Sequence, residues 1–345
     1  EDDGERVPAA DAEARRERSR HDFTFFRRTY FPHYCLVKED SRLHRWLDEE
    51  LPRMADSPEG GRLAVAAPRG EAKSTFVSLF FVLWAVLTGR KRYVLLIADA
   101  LEQAASLLDA VKDELEYNEL LRDDFPEGVG KGPVWNTGTV VTAGGVKVQA
   151  LGAGKRMRGL RPDLVILDDL GNDENVDKPE QRDKLQAWLQ KTVLNLGAAD
   201  GGMDVVYVGT LLHYDSVLAR TLRKPLWKAG VFRSVLRWPD RMDLWDRWES
   251  LLASEGKAAA RRFYREHAVL MEKGAEVSWP AARPLYRLMC LRAEDREAFD
   301  SEQQNDPLST NEAPFNACLT FWVDRRRDWL LFGAVDPSLG KQGAG

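Results

Sequence analysis

Residues 63–66, 93–98, 164–167 and 205–208 form short runs that are almost wholly apolar. Runs of this length without polar alternation predict strands buried on both faces of a parallel sheet. Apolar positions at helical spacing fill the intervals, over 101–116 and 178–195. This alternation predicts an α/β fold, a central mostly parallel sheet flanked by helices. Between them, 139–143 and 146–151 flank Gly144-Gly145, a two-residue hairpin signal. The aromatic stretch Phe23, Phe25, Phe26, Tyr30 and Phe31 leads into helical spacing at Leu43, Trp46 and Leu47. Residues 1–20 carry mixed charge and little apolar content, which predicts a frayed, solvated helical arm. From 239 to 300 the chain is rich in Trp and Arg at helical spacing, the pattern of a mostly helical subdomain. A last apolar run begins at Leu330 and ends at Asp336-Pro337, where a strand of a further domain is expected to start.

Length and charge narrow the picture only a little. At 345 residues the chain exceeds what one core usually serves. Its 44% hydrophobic and 30% charged content is that of a soluble globular protein. A net charge of −5 argues against a generally basic nucleic-acid coat, although a protein that meets DNA through a narrow pore need not be basic overall. Three scattered cysteines give neither a disulfide framework nor a metal cluster, and fit a reducing cytosol. The apolar stretch 76–87 is too short for a membrane span, and the charged, Ala-rich first twenty residues do not read as a signal peptide.

The chemistry is concentrated in four places. Residues 67–75, Ala-Pro-Arg-Gly-Glu-Ala-Lys-Ser-Thr, lie between the first apolar run and a helical one. That is the layout of a phosphate-binding loop, with Ala67 and Ala72 where the two glycines of the usual pattern stand. Orphan amides at a helix start and the helix dipole favour a phosphate there. Lys73 is suited to the β/γ-phosphates of a nucleoside triphosphate and Ser74 to Mg²⁺, with Pro68, Arg69, Gly70, Glu71, Ala72 and Thr75 completing the loop. Gly70 is expected to take the one strained dihedral, leaving Ala67 and Ala72 ordinary. The bland alternative is that Ala-Lys-Ser-Thr simply starts a buried helix.

The second place is the strand 164–167, which ends in Asp168-Asp169. Carboxylates at the carboxyl end of a sheet strand sit where open α/β folds bind ligands. Asp168 is the candidate Mg²⁺ ligand and Asp169 the candidate acid that polarises water, with Glu174 in the next loop as a substitute. Third, Lys155, Arg156, Arg158 and Arg161 place four cations in seven residues. They fit a solvated loop, a contact to the DNA backbone through Arg156 and Arg161, or an arginine finger at Arg158 worth roughly 10³–10⁵ in rate. Fourth, Thr210 follows the strand 205–208 and can sense the γ-phosphate or its water.

In this order, the loop 67–75, Met157-Arg-Gly-Leu-Arg161, Ile166-Leu-Asp-Asp-Leu170 and Val208-Gly-Thr210 resemble the large terminase subunit of tailed bacteriophages, the ATPase that packs DNA into a procapsid. Glu302-Gln-Gln-Asn-Asp-Pro307 resembles the segment before the nuclease of such proteins, and Phe332-Gly-Ala-Val-Asp-Pro337 the nuclease's first strand. The resemblance implies an ASCE-type P-loop ATPase domain over 22–238 after an arm at 1–21. It further implies a helical lid and linker over 239–328 and the start of an RNase H-like nuclease over 329–345. It implies catalytic roles for Asp169, Arg158, Arg69 and Thr210, and metal ligation by Ser74, Asp168 and Asp336. Tyr30, Phe31 and His33 become candidates to stack the adenine. A single nuclease carboxylate cannot support two-metal cleavage, so no DNA cutting is expected of these residues. The implied partners are double-stranded DNA, a portal protein, a small terminase subunit and sister subunits in a ring, in the host bacterial cytoplasm and away from membranes. The isolated chain is expected to be a monomer. A helicase- or recombinase-like ATPase and a catalytically weak P-loop scaffold are the competing readings.

Overall fold

A computed structural model of the protein describes residues 9–307 apart from 173–175, 177 and 199–201. Asp336, Glu174 and the expected nuclease strand lie outside the described residues. The fold is α/β, built on an eight-stranded sheet in the order β3-β4-β5-β2-β6-β7-β1-β8. Its strands are β1 (Arg62–Ala66), β2 (Tyr93–Ala98), β3 (Lys131–Trp135), β4 (Thr139–Thr142), β5 (Lys147–Gly152), β6 (Leu164–Asp168), β7 (Asp204–Gly209) and β8 (Lys228–Val231). From β5 to β8 every pairing is parallel, while β3 and β4 add an antiparallel edge. The predicted hairpin is present, with Val140 opposite Val148 and Gly145 at φ 79° in the turn.

The four apolar runs are β1, β2, β6 and β7, the central strands. All of β6 and β7 is buried, because helices cover both faces. One face packs the aromatic helices Phe23–Tyr30 and Arg42–Ala55 and the segment after β1; the other packs Pro179–Lys191 and Val217–Leu222. A third core, around Trp245, Trp248, Leu288, Met289 and Phe299, belongs to the helices between 242 and 302. Two short strands, β9 (Val235–Arg237) and β10 (Glu276–Val277), pair beside it.

Two expectations change. The helix Ala9–His21 is docked rather than solvated. Arg15 forks onto Asp124 at 2.7 and 2.5 Å, and the buried Trp84 donates its indole N–H to the Ser19 carbonyl at 2.7 Å. Mixed charge and little apolar content made the segment read as solvated, and its partner Asp124 lies 109 residues away, out of reach of any local pattern. The helix after the loop also opens as a π-helix over Thr75–Phe81 before tightening to α over Val82–Leu87. Widened turns of this kind are frequent at functional sites.

Candidate nucleotide site

Sheet register assembles the site. β7 lies between β1 and β6, pairing Ala66 with Gly209 and Asp168 with Val208. The three strands therefore end at one level, and the loops leaving them meet although 94 and 137 residues separate their side chains. Lys73 lies 3.0 Å from the Asp169 carboxylate and donates to the Thr210 hydroxyl at 3.2 Å. The Thr210 amide donates to Asp169 Oδ1 at 3.1 Å, and its hydroxyl to the Ala67 carbonyl at 3.3 Å. Ser74 and Ser78 both donate to Asp168, Ser74 at 2.9 Å and Ser78 at 2.5 Å. Burial, with the neighbouring Asp169 carboxylate second, pushes the Asp168 carboxyl up to about 6.

Among the described residues, the backbone amides of Gly70, Ala72, Lys73 and Ser74 make no hydrogen bond within the chain. Beside them, Lys73 lines a cleft of about 280 Å³ together with Arg69, Asp99, Asp169, Thr210 and Glu302, among others. Unpaired amides at a helix start with an ammonium beside them form an anion site. The donor set next to it, a serine hydroxyl and a carboxylate, is the hard-oxygen chemistry of Mg²⁺. That ion typically takes few protein ligands and completes its shell with water and phosphate. No group of three or more His, Cys, Asp or Glu side chains gathers as a metal cluster among the described residues.

Several sequence expectations are corrected here. Gly70 has φ 83°, but Ala72 is left-handed as well, at φ 55°. A Cβ at such a backbone angle costs about 1–2 kcal/mol, so the loop keeps the geometry that glycine would give and carries the strain. Asp169 is likewise left-handed at φ 45°, which swings its carboxylate back toward β1 and Lys73. Glu71 turns away from the cleft and is buried, with its Oε2 accepting from Ser278 at 3.3 Å. Tyr30 and Phe31 cannot stack an adenine: both rings are fully buried among Phe26, Phe80 and Phe125, with the Tyr30 hydroxyl on Asp124. His33 hydrogen-bonds Glu114 at 2.8 Å. The aromatic spacing of Tyr30 and Phe31 marks a core, the commoner use of such a stripe, whereas His33 is exposed. Arg158 is exposed, and so are Arg156 and Arg161. Arg69 reaches Glu302 at 3.1 Å.

Three contributions went unforeseen. Ser78 is the lone polar residue in an apolar helical run, four positions after Ser74, and that spacing was the available signal. Asp99, one residue beyond β2, reaches the cleft and accepts from Asn172 at 2.5 Å. The segment Glu302–Asn305 is stitched to the site: the Glu302 carbonyl accepts from the Arg69 amide at 2.9 Å. Asn305, at φ 49°, accepts from the Leu211 amide at 2.8 Å and donates to the Phe232 carbonyl at 2.7 Å.

No family model and no curated protein matches the chain. Among solved structures, the HK97 bacteriophage large terminase is similar at 18% identity over 65% of this chain, with a TM-score of 0.40. The chain spans about half (49%) of that protein's length. The ATPase domain of the Thermus phage P74-26 large terminase is similar at 14% identity over 71% of this chain and 88% of that one, with a TM-score of 0.34. S. cerevisiae dbp5, bound to nup159, gle1, ip6 and adp, is similar at 14% identity over 68% of this chain and 64% of that one, with a TM-score of 0.36. No helix of the described residues is long and apolar enough to cross a membrane.

Proposed function

We propose that the protein is an ATPase whose hydrolysis site is the cleft between the loop 67–75, Asp168-Asp169 and Thr210. The observation that carries this reading is convergence. An ammonium, a serine hydroxyl, two adjacent carboxylates and a threonine hydroxyl, from three strand ends far apart in sequence, meet unpaired helix-start amides. Phosphoryl transfer asks a protein mainly for positioning and charge stabilisation, and these groups supply both. Ser74 and Asp168 would hold Mg²⁺, which when bound neutralises phosphate charge. Lys73 exchanges its carboxylate partner for phosphate oxygens as ATP enters. Asp169, released by that exchange, orients the attacking water, while the Thr210 amide keeps the carboxylate aimed.

The finer reading is that of a DNA-packaging motor of the large-terminase kind, with double-stranded DNA, a portal protein, a small terminase subunit and sister subunits as partners. Its support is the order of the sequence motifs, with Arg158 exposed and so available to a neighbouring subunit. The coarse reading is tested by phosphate release from Mg²⁺-ATP by wild type, Lys73→Ala and Asp168→Ala. Turnover confined to wild type supports it, and equal turnover by all three refutes it. The finer reading is tested by mixing Lys73→Ala with Arg158→Ala in the presence of linear duplex DNA. Activity should return in the mixture if Arg158 works between subunits, and a silent mixture of two folded variants argues against it.

A further inference from the structure

The phosphate loop has a second face, and it does not touch the cleft. Glu71, in the middle of the loop, is 1% exposed, and its Oε1 has no hydrogen-bond partner among the described residues. A buried acid with an unsatisfied oxygen is costly and persists only where the surroundings hold it. The surroundings are two further elements. From the helix Arg42–Ala55, His44 lies 2.9 Å from the Glu71 carbonyl through Nε2, and its ring stacks on Phe76 at 4.5 Å between centroids. From the segment after β10, Ser278 donates to the Glu71 carboxylate, Trp279 stands edge-on to His44 at 4.7 Å, and Arg283 donates to the Arg69 carbonyl. The same segment is tied to the helix, where the Arg42 amide donates to the Ser278 carbonyl at 3.2 Å. A Cβ at Gly70 would stand 3.2 Å from Arg283 Nη1, so this turn of the loop and the segment fit closely.

We infer that Glu71 is a positioning residue: through its carboxyl, the segment 278–283 holds the phosphate loop in the left-handed turn at Gly70 and Ala72 that binding a nucleotide requires. The inference rests on the loop binding a nucleotide, and adds that the lid-side segment regulates it. The neutral acid suits this dry joint; the carboxylate does not. The charged or titratable groups facing it are His44 from the helix and Arg283 from the segment, and neither donates to the carboxylate. Burial pushes the carboxyl up to about 7, against opposing pulls from Ser278, His44 and Arg283. The joint is therefore tight in mild acid and weakened as pH rises past neutrality.

The test is fluorescence anisotropy of mant-ADP with Mg²⁺ on wild type and Glu71→Gln between about pH 6 and about pH 8.5. Wild-type affinity should fall about tenfold relative to Glu71→Gln across that range, since linkage converts the changed protonation into binding free energy. Comparing the two proteins cancels titration of the nucleotide itself. Wild type that binds, with the same pH profile as Glu71→Gln, overturns the inference and leaves the nucleotide reading standing. Wild type that binds nothing at any pH overturns both. If Glu71→Gln does not fold, Ser278→Ala serves: loss of a hydroxyl that favours the carboxylate should move the fall in affinity to higher pH, and an unmoved profile overturns the inference.

Discussion

The sheet carries a lysine–aspartate pair at each end, and the two differ instructively. At the amino ends of the strands, Lys91 meets Asp204 at 2.7 Å with both side chains sealed, 6% and 0% exposed. Asp204 also accepts from the Gly61 amide at 2.6 Å, and its backbone continues the ladder of β7. At the carboxyl ends, Lys73 meets Asp169 at 3.0 Å, but Asp169 is 31% exposed, left-handed in its backbone and open to the cleft. The chemistry is the same and the purpose is not. A sealed, unstrained pair ties strand ends together. A strained pair facing solvent has partners it can exchange, and strain of this kind clusters where a structure must act. Among the described residues, the left-handed non-glycine positions are Ala72 in the loop, Asp169 on the cleft, and Asn305, which accepts from the Leu211 amide.

The largest effect should come from breaking the sealed pair. Lys91→Ala leaves a buried carboxylate without its countercharge, and denaturant titration should show a loss of about 3–5 kcal/mol. If the protein loses less than about 1 kcal/mol, Asp204 is not held as described. Lys73→Ala should be its mirror image: kcat falling by about 10²–10³, as for loss of one preorganised charge-stabilising donor, with stability nearly unchanged. A large stability loss there would erase the contrast between the two ends.

The pH dependence sharpens it further. Glu71 and Asp168 both have raised folded-state values, about 7 and about 6. The stability each contributes is complete below the ordinary carboxyl range and lost as pH rises through the folded value. Thermal unfolding of the protein without ligand should therefore weaken from about pH 4.5 to about pH 7, and Glu71→Gln should remove the upper part of that slope. A flat profile in wild type would contradict the burial of both acids. The smallest effect concerns strain. Ala72→Gly restores the residue the backbone angle prefers and should stabilise the protein by at most about 1 kcal/mol, because glycine's greater freedom when unfolded offsets part of the relief.

Much of the sheet was legible because β1, β2, β6 and β7 are buried on both faces, so that unbroken apolar runs had one sensible reading. Lys73, Ser74, Asp168 and Thr210 stood out for a related reason: each follows a buried apolar strand closely, and the carboxyl ends of such strands are where open α/β sheets bind ligands. What the sequence hid was contact across long separations. Nothing local distinguishes Glu71, turned into a joint with Ser278, from a loop acid facing a ligand. Tyr30 and Phe31 looked available because aromatic spacing does not say which side is covered. Ala72 hid its strain because alanine in a helix-start motif suggests ordinary angles, and only the closed geometry of the loop imposes the left-handed one.

The most direct test of the account is the rate of phosphate release from Mg²⁺-ATP by Lys73→Met and Lys91→Met, measured where both remain folded by circular dichroism. The account predicts that Lys91→Met turns over ATP at close to the wild-type rate while Lys73→Met is about 10²–10³-fold slower. Undiminished turnover by Lys73→Met would contradict it, because the hydrolysis site would then lie elsewhere.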